Sequence, residues 1–322
     1  MGKSTGSTTL RSARPQAVSP PKSKLKRPCP VCGNFRREEC KRCYAITEFE
    51  VLRCRGCGVR FINEVIDDNL GFGVDHEVAE DPDLTMKAVS DFRQLKEKLA
   101  AVRMPCQGRS LLDVGCGMGT FLQQAQQEGW NAAGLELSPA IAAYAREQRG
   151  LAVDSSSIES TTSFPSASFD VVTMFGVIEH LANPQSAAGE CARLLRPGGL
   201  LVLQTPSEDG LMRRVGRLLY WASGGLFSFQ VKQFYQMNGG HSVCFDRRSI
   251  KTLLDRTGFE VLSIEGSTYG LRLLLRRFRE MRAPKRLIYT VGTSLVFFAG
   301  RILGSNHMTI YAQKRDLVGR TA

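Results

Sequence analysis

Residues 111–120 read LLDVGCGMGT, an apolar run that ends at an aspartate and is followed by three alternate glycines. The apolar run predicts a short buried strand, and Gly115, Gly117 and Gly119 allow the backbone to turn tightly and to approach a ligand closely. The next residues, TFLQQAQQEG, have the apolar spacing of a helix. The segment therefore predicts a strand, a glycine-rich turn and a helix in succession.

The same alternation continues to the end of the chain. Further strands are predicted in NAAGLEL, FDVVTMFG, LLVLQT, FEVLSIEG and MTIYAQKR, and helices in SPAIAAYAREQRG, PQSAAGECARLL and RSIKTLLDRTG. Another amphipathic helix is predicted over residues 86–102. Strands and helices that alternate over this length predict a doubly wound α/β sheet with helices on both faces.

Charge is distributed unevenly along the 322 residues. The net charge is +12, with +10 in residues 1–60, −7 in residues 61–270 and +9 in residues 271–322. A hydrophobic fraction of 43% and a charged fraction of 23% exclude wholesale disorder and collagen-like structure. Basic ends of this kind could bind nucleic acid or an anionic membrane surface, or could simply be solvated.

Six of the ten cysteines lie in three Cys-x-x-Cys pairs near the N-terminus. The first and third pairs are each followed by a glycine, which permits the tight turn of a zinc knuckle. They predict a zinc ribbon in which a structural Zn²⁺ is held by Cys29, Cys32, Cys54 and Cys57. The middle pair, Cys40 and Cys43, lacks that glycine and is interpreted as spare thiols or an alternative pair. Residues 1–28 contain no apolar core of a signal peptide, so we expect a reducing, cytoplasmic setting.

Two carboxylates indicate the charge of the ligand at the glycine-rich turn. Asp113 ends the first strand of the alternation, and Glu136 follows 19 residues after Gly117, where an acid can hold both ribose hydroxyls. A dinucleotide fingerprint would place a third glycine at position 120, where Thr120 stands. Asp113 would also repel a pyrophosphate, whereas it suits a ligand with an ammonium and a sulfonium, such as S-adenosylmethionine.

Four segments carry a family resemblance: LLDVGCGMG, GLELSP, FPSASFDVVTMFGVIEHL and LLRPGGLLVLQTP. In their order and spacing, residues 108–265 resemble the class I S-adenosylmethionine-dependent methyltransferases. The resemblance implies a Rossmann-like, doubly wound sheet of seven strands with S-adenosylmethionine as cofactor. The implied cofactor contacts are Asp113, Gly115, Cys116, Gly117, Gly119, Glu136, Leu137, Ser157, Ile158 and Phe175. Many members have Gly-Asp after the third strand, where this chain has Ser156 and Ser157.

Two histidines are candidates for the acceptor side. His180 follows a predicted strand at the carboxyl edge of the sheet, and His241 lies in a stretch similar to one that many small-molecule members carry. An imidazole near neutrality is a competent base for a hydroxyl or carboxyl acceptor. Capping or packing remains an alternative for both residues, and Glu179 with His180 could instead hold a divalent ion.

These predictions divide the chain into a disordered basic arm, a zinc ribbon, a linker with an N-terminal helix, and a methyltransferase domain, at residues 1–27, 28–62, 63–107 and 108–322. Two insertions are expected within the last unit. Residues 206–240 carry clustered aromatic side chains and are interpreted as a substrate lid, with ordinary helical packing as the alternative. Residues 271–305 are basic and apolar. They predict peripheral contact with an anionic membrane through 271–300, or a core-packed helix with solvated arginines.

The resulting hypothesis is a methyltransferase that modifies an oxygen, in preference to a nitrogen or carbon, of a small-molecule, sugar or lipid-linked acceptor, in the cytoplasm or at the inner face of the membrane. One alternative is an RNA methyltransferase that uses the basic zinc module. It is less favoured, because no Asn-Pro-Pro motif follows the fourth strand. Another alternative is a catalytically silent binding protein, against which the intact Asp113, glycines and Glu136 argue.

Overall fold

The computed structural model describes residues 25–45, 49–64, 81–102, 108–226, 235, 240–267 and 283–315. The predicted basic arm falls outside these residues except for 25–27. Most of the predicted linker, the middle of the 206–240 insertion and the arginine-rich start of the 271–305 insertion also fall outside them.

The larger of two sheets contains seven strands and confirms the predicted doubly wound architecture. Its strands are β4 (Ser110–Val114), β5 (Asn131–Leu135), β6 (Ala152–Asp154), β7 (Phe169–Phe175), β8 (Leu195–Pro206), β10 (Phe259–Ser267) and β11 (His307–Lys314). Their order is β10-β11-β8-β7-β4-β5-β6. The five strands from β8 to β6 run parallel, and β11 is antiparallel to both β8 and β10.

Seven α-helices connect and cover the strands within the described residues. They are α1 (Pro82–Ala101), α2 (Thr120–Gln127), α3 (Pro139–Arg149), α4 (Pro184–Leu194), α5 (Leu211–Ala222), α6 (Arg247–Arg256) and α7 (Ala283–Leu303). Sequence signals fix several of their starts. Asp81 accepts the backbone N–H of Asp83 at the start of α1, and Asp246 and Ser249 form a reciprocal capping box on α6.

The arrangement of β4 and its neighbours determines where a ligand can bind. β4 lies between β7 and β5, so the chain leaves β4 in one direction and later returns on its other side. All residues of β7 except Phe175 are buried, as expected of a central parallel strand. In open α/β sheets, ligands bind beyond the carboxyl ends of the strands at such a switch point. The turn after β4 therefore occupies the expected position of a binding site.

The cysteine-rich segment forms a second, antiparallel sheet in the order β1-β2-β3-β9. β1 (Cys40–Ala45), β2 (Glu50–Cys54) and β3 (Arg60–Ile62) belong to the predicted ribbon. The fourth strand, β9 (Val243–Cys244), comes from nearly two hundred residues further along the chain. Phe61 of the ribbon belongs to the same buried apolar cluster as Phe245 and Ile250. The ribbon is thus continuous with the core of the larger body.

The two predicted insertions contain the helices α5 and α7, which pack against each other. Tyr220 of α5 is buried and meets the ring of Tyr44 of the ribbon edge-on, with ring centroids 5.1 Å apart. The opposite side of α5 is exposed. Among the described residues, no helix combines the length and the apolar character that crossing a bilayer requires.

Candidate functional site

The glycine-rich turn forms a cradle between the ends of β4 and β5. The backbone N–H groups of Gly115 and Cys116 both donate to the carbonyl of Leu135, at 2.7 and 3.0 Å, which fastens the turn to β5. Gly117 has a φ of +54°, and a Cβ built there would meet no atom within 4 Å. This open space beside a left-handed backbone is where a ligand could approach the main chain.

Asp113 is buried at the end of β4, with its carboxylate accepting a 2.7 Å hydrogen bond from the Thr173 hydroxyl of β7. Burial raises the pKa of Asp113 to about 7, although the Thr173 hydrogen bond opposes this shift. A carboxyl group of this kind gains most from a cationic partner. The environment of Asp113 therefore suits the ammonium group of a ligand better than a phosphate.

Glu136 follows β5 directly and is half-buried at the rim of the cradle. Its two carboxylate oxygens accept the backbone N–H groups of Gly117 at 3.0 Å and of Ser138 at 2.9 Å. Each carboxylate oxygen has a further lone pair, so the group can still accept hydrogen bonds from ligand hydroxyls. Leu137 is 54% exposed and offers an apolar surface beside Glu136.

The remaining predicted cofactor contacts surround the same strand ends but differ in exposure. Ser157 is half-buried and its Oγ accepts the N–H of Glu159, whereas Ile158 is buried. Cys116 is also buried, so its main chain is the part that a ligand at the turn could contact. Phe175 ends β7 and meets the ring of Phe121 edge-on at 5.0 Å. The ligand-contacting roles of these residues stay predictions.

His180 and His241 lie together beyond β7, although they are 61 positions apart in the sequence. Their ring centroids are 4.9 Å apart in an edge-on arrangement, and Nδ1 of His180 is 3.2 Å from the carbonyl oxygen of Gly240. Buried Glu179 completes a group whose ligand atoms all lie within 4.8 Å of one another. Burial raises the pKa of Glu179, against the opposing effect of His180. The group could move a proton or hold a divalent ion.

The four cysteines predicted as zinc ligands also come together. Cys29, Cys32, Cys54 and Cys57 place their sulfur atoms within 4.8 Å of one another. The Sγ atoms of Cys29 and Cys57 are 3.5 Å apart, and those of Cys32 and Cys54 are 3.6 Å apart. Tetrahedral Zn²⁺ with Zn–S bonds of about 2.3 Å requires sulfur separations of about 3.8 Å, so the set fits this ion. Cys40 and Cys43 are described by the structure and lie outside the group.

Several residues of the site escaped sequence reasoning because their partners are distant in the chain. Thr173 contacts Asp113, and Thr205 donates to Glu179 at 3.0 Å. Glu208 forms ion pairs with Arg60 of the ribbon and with Arg213 of α5. The only local signal was the position of Glu208 just after a predicted strand, where a carboxylate at the sheet edge is a reasonable candidate.

Comparison with known proteins gives one matching family model, described as a methyltransferase domain, over residues 87–264. A ubiquinone biosynthesis O-methyltransferase from Thiobacillus denitrificans is 32% identical over 134 residues, which cover 40% of this chain and 58% of that protein. The protein of the same name from Azoarcus sp. is 31% identical over 170 residues, which cover 51% and 69%. The chain thus spans less than two thirds of the first of these relatives.

A solved structure with a similar fold is that of a candidate sarcosine dimethylglycine methyltransferase from Galdieria sulphuraria. The similarity has a TM-score of 0.51 at 16% identity and covers 78% of this chain and 94% of the other. At this identity the likeness concerns the fold alone. It agrees with the seven-stranded sheet described above.

Proposed function

The chain belongs to the methyltransferase domain family, and from this premise we propose that it is an S-adenosylmethionine-dependent O-methyltransferase. The observation that carries the proposal is the cradle after β4, where Gly117 has open space beside it and donates to Glu136, and where Asp113 lies near the end of β4. The relatives named as O-methyltransferases favour oxygen as the methylated atom. The acceptor is a small molecule, a sugar or a lipid-linked molecule that carries a hydroxyl group.

Two carboxyl groups and one apolar side chain at the ends of β4 and β5 hold the cofactor. Asp113 attracts its ammonium group, Glu136 accepts its ribose hydroxyls, and Leu137 covers its adenine. When bound, S-adenosylmethionine supplies an electrophilic methyl group on a sulfonium. The main chain around Gly117 carries no positive charge, so a cationic ligand can approach it without the repulsion that a basic phosphate site would cause.

The histidine pair provides the proton-accepting group of the acceptor side. A hydroxyl oxygen becomes a better nucleophile when its proton is removed, and a neutral imidazole can remove it near pH 7. The rings of His180 and His241 meet edge-on at 4.9 Å, so either imidazole is placed to take the proton of an acceptor bound beside the pair. His180 follows β7, which pairs with β4, the strand that carries Asp113.

Binding of the demethylated cofactor, S-adenosylhomocysteine, tests the proposal without knowledge of the acceptor. Calorimetry should give one site per chain, and Glu136→Ala should weaken binding at least tenfold because the ribose loses its carboxylate acceptor. Asp154→Ala is the control, since Asp154 is engaged by Ser156 and Ser163 at the end of the neighbouring strand. Equal affinities of wild type and Glu136→Ala would contradict the proposed cofactor site, and no binding at all would favour a silent binding protein.

Methyl transfer can then be measured with radiolabelled S-adenosylmethionine and a panel of phenols, carboxylic acids and sugars. We expect transfer to a hydroxyl-bearing acceptor, and a large loss of transfer in His180→Gln or His241→Gln with cofactor affinity unchanged. Transfer that these variants leave intact would refute the assignment of the histidine pair as base.

We further propose that the four-cysteine group holds one structural Zn²⁺. Four thiolate ligands close the coordination sphere, so such an ion stabilises the ribbon and takes no part in the reaction. Three of the four cysteines are buried, and the sulfur separations given above suit a tetrahedral ion.

A peripheral contact with an anionic membrane is proposed for the face formed by α5 and α7. Its exposed apolar residues recur at helical spacing on α7 and cluster on α5: Leu287, Val291, Leu295 and Phe298, with Leu218, Leu219 and Trp221. Neither helix contains an acidic residue, and Arg214 and Arg286 are exposed. Apolar surface combined with basic charge favours the interface of an anionic bilayer.

Flotation with lipid vesicles tests the membrane proposal. The full chain should float with vesicles that contain phosphatidylglycerol and float less with pure phosphatidylcholine. The double variant Leu287→Glu with Leu295→Glu should abolish flotation. Val89→Glu, at an exposed apolar position on α1, is the matched control and should float like wild type. Flotation that the double variant retains would contradict the proposed surface.

A further inference from the structure

The ribbon sheet obtains its fourth strand from the acceptor side of the body. In the β3–β9 pair, Phe61 lies opposite Val243 and Arg60 opposite Cys244. The N–H of Ile62 also donates to the carbonyl of Ser242, at 3.0 Å. This pairing begins one residue after His241, so the backbone that follows this imidazole is held by the ribbon.

The other side of the same segment is bonded to the loop that carries His180. The N–H of Val243 donates to the carbonyl of Glu179 at 3.0 Å, and the hydroxyl of Ser242 donates to the carbonyl of Leu181 at 2.7 Å. Ser242 and Val243 are fully buried. They therefore form a layer between the ribbon and the His180 loop, and they directly follow His241 in the chain.

A buried ion cluster joins the ribbon to Glu208, whose N–H donates to the carbonyl of Phe245 at 2.9 Å, directly after β9. Glu208 follows β8 and is almost completely buried. Its carboxylate lies 3.1 Å from the guanidinium of Arg60 in the ribbon, 2.7 Å from that of Arg213 and 3.6 Å from that of Arg217 in α5. Arg60 is itself buried, so its guanidinium group needs the carboxylate of Glu208 as a counter-charge, and this requirement fixes the ribbon relative to Glu208.

Aromatic rings extend the same contact. Tyr44 of β1 meets Tyr220 of α5 at 5.1 Å, and Phe49 meets Tyr235 at 5.9 Å. Residues of the ribbon, of α5 and of β9 form one buried cluster that also includes Val51, Ile62 and Cys244. The ribbon thus contacts α5, Tyr235 and β9, and β9 begins two residues after His241.

From these contacts we infer that the ribbon positions the acceptor-side histidines, with Arg60 as the positioning residue. The folded ribbon holds residues 242–244 as a strand and thereby keeps His241 against His180. The inference rests on the proposed function in one respect, namely that the histidine pair acts on the acceptor. The cofactor cradle is built on β4 and β5, so weakening the ribbon contact should alter the histidine pair and spare the cradle.

The test uses the full zinc-loaded chain and the variant Arg60→Met, which removes the charge and keeps most of the length. Hydrogen exchange followed by mass spectrometry should show at least tenfold faster exchange in residues 242–244 and unchanged exchange in β4. Arg37→Met is the matched control, because Arg37 pairs with Glu50 at 2.9 Å within the ribbon. It should leave residues 242–244 as in wild type. Arg60→Lys, which can still reach a carboxylate, should restore most of the protection.

Imidazole resonances supply a second readout. The chain has four histidines, so each ¹H–¹⁵N imidazole signal can be assigned with single His→Gln variants. Arg60→Met should shift the signals of His180 and His241 and leave that of His307 on β11 unchanged. Removal of zinc from wild type with a chelator should produce the same pattern, which keeps the test decisive if Arg60→Met does not fold.

Two results would overturn the inference. One is unchanged exchange in residues 242–244 in both Arg60→Met and the chelated protein. The other is equal loss of protection in β4 and in residues 242–244, which would show general destabilisation. Binding of S-adenosylhomocysteine, measured in parallel, should stay within about twofold of wild type. Its absence in the wild type itself would refute the proposed function and leave the coupling between ribbon and histidine pair as a separate result.

Discussion

Alanine substitutions at Gly117 and Gly119 form a matched pair that tests which part of the glycine-rich turn faces the cofactor. Both residues have positive φ, +54° and +84°, so alanine at either position costs roughly 1–2 kcal/mol in backbone strain. A methyl at 117 meets no atom within 4 Å, whereas a methyl at 119 lies 2.1 Å from Cδ1 of Leu151. Leu151 is buried, so moving it adds about 1–3 kcal/mol.

The two variants should therefore separate stability from binding. A change of 1 kcal/mol shifts Tm by roughly 2–4 °C in a body of this size, which gives falls of about 2–8 °C for Gly117→Ala and about 4–20 °C for Gly119→Ala. Affinity for S-adenosylhomocysteine should show the opposite order. The methyl at 117 fills the space left for the ligand, so we expect a loss of at least tenfold, or about 1.4 kcal/mol. Gly119 is also an implied cofactor contact, but a methyl there would point at Leu151, so Gly119→Ala, measured below its own Tm, should bind within about threefold of wild type.

Differential scanning fluorimetry and isothermal titration calorimetry measure the two quantities on the same preparations. Wild-type affinity in Gly117→Ala would refute the conclusion that the open side of the turn faces the cofactor. A Gly119→Ala protein as stable as Gly117→Ala would refute the packing argument at Leu151.

Three further predictions concern charge and metal. Burial raises the pKa of Asp113 to about 7, so the free energy of unfolding of the cofactor-free protein should fall as the pH rises from about 4 to about 7. In urea titrations, Asp113→Asn should flatten this dependence on pH. An unchanged dependence would contradict the burial argument. Burial raises the pKa of Asp170, but hydrogen bonds from Ser110 and Arg196 lower it more, so its contribution should be lost as the pH falls below about 4. Asp170→Asn should lower the free energy of unfolding by about 1–3 kcal/mol at pH 7 in the same titrations. A variant as stable as wild type would contradict the role given to the hydrogen bonds from Ser110 and Arg196. Elemental analysis should find one zinc per chain in wild type and in Cys40→Ser and none in Cys57→Ser; zinc retained by Cys57→Ser would refute the ligand set.

The fold could be predicted from the sequence because its signals are local. The run LLDVGCGMGT contains a complete strand, turn and helix start within ten residues, and six of the seven strands of the large sheet are predicted by their own segments, whereas the three-residue β6 is not. The carboxylates Asp113 and Glu136 follow from the same logic, since the end of a parallel strand places its last side chain at the ligand-binding edge. The two Cys-x-x-Cys-Gly knuckles are likewise local turns.

The acceptor side could be predicted only in part. His180 and His241 were each recognised as candidates, but no sequence pattern indicates that their rings lie 4.9 Å apart. The insertion at 206–240 was interpreted as a substrate lid. Its helix α5 places buried Tyr220 against Tyr44 of the ribbon and leaves Leu218 and Trp221 exposed, and the role of a substrate lid stays a prediction. Hydrophobic patterning does not say which partner covers a helix.

By itself, the sequence determined the alternation that builds the sheet, the cofactor-side carboxylates and the four-cysteine set, because each depends on residues within one turn or one strand. Only the tertiary structure decided that β3 of the ribbon pairs with β9, and that Arg60 reaches Glu208. The physical reason is that β9 has only two residues, and that Arg60 and Glu208 lie 148 residues apart in the chain. Such contacts form because backbone groups and charges that become buried together must pair with each other, and the buried environment exists only once the chain has folded.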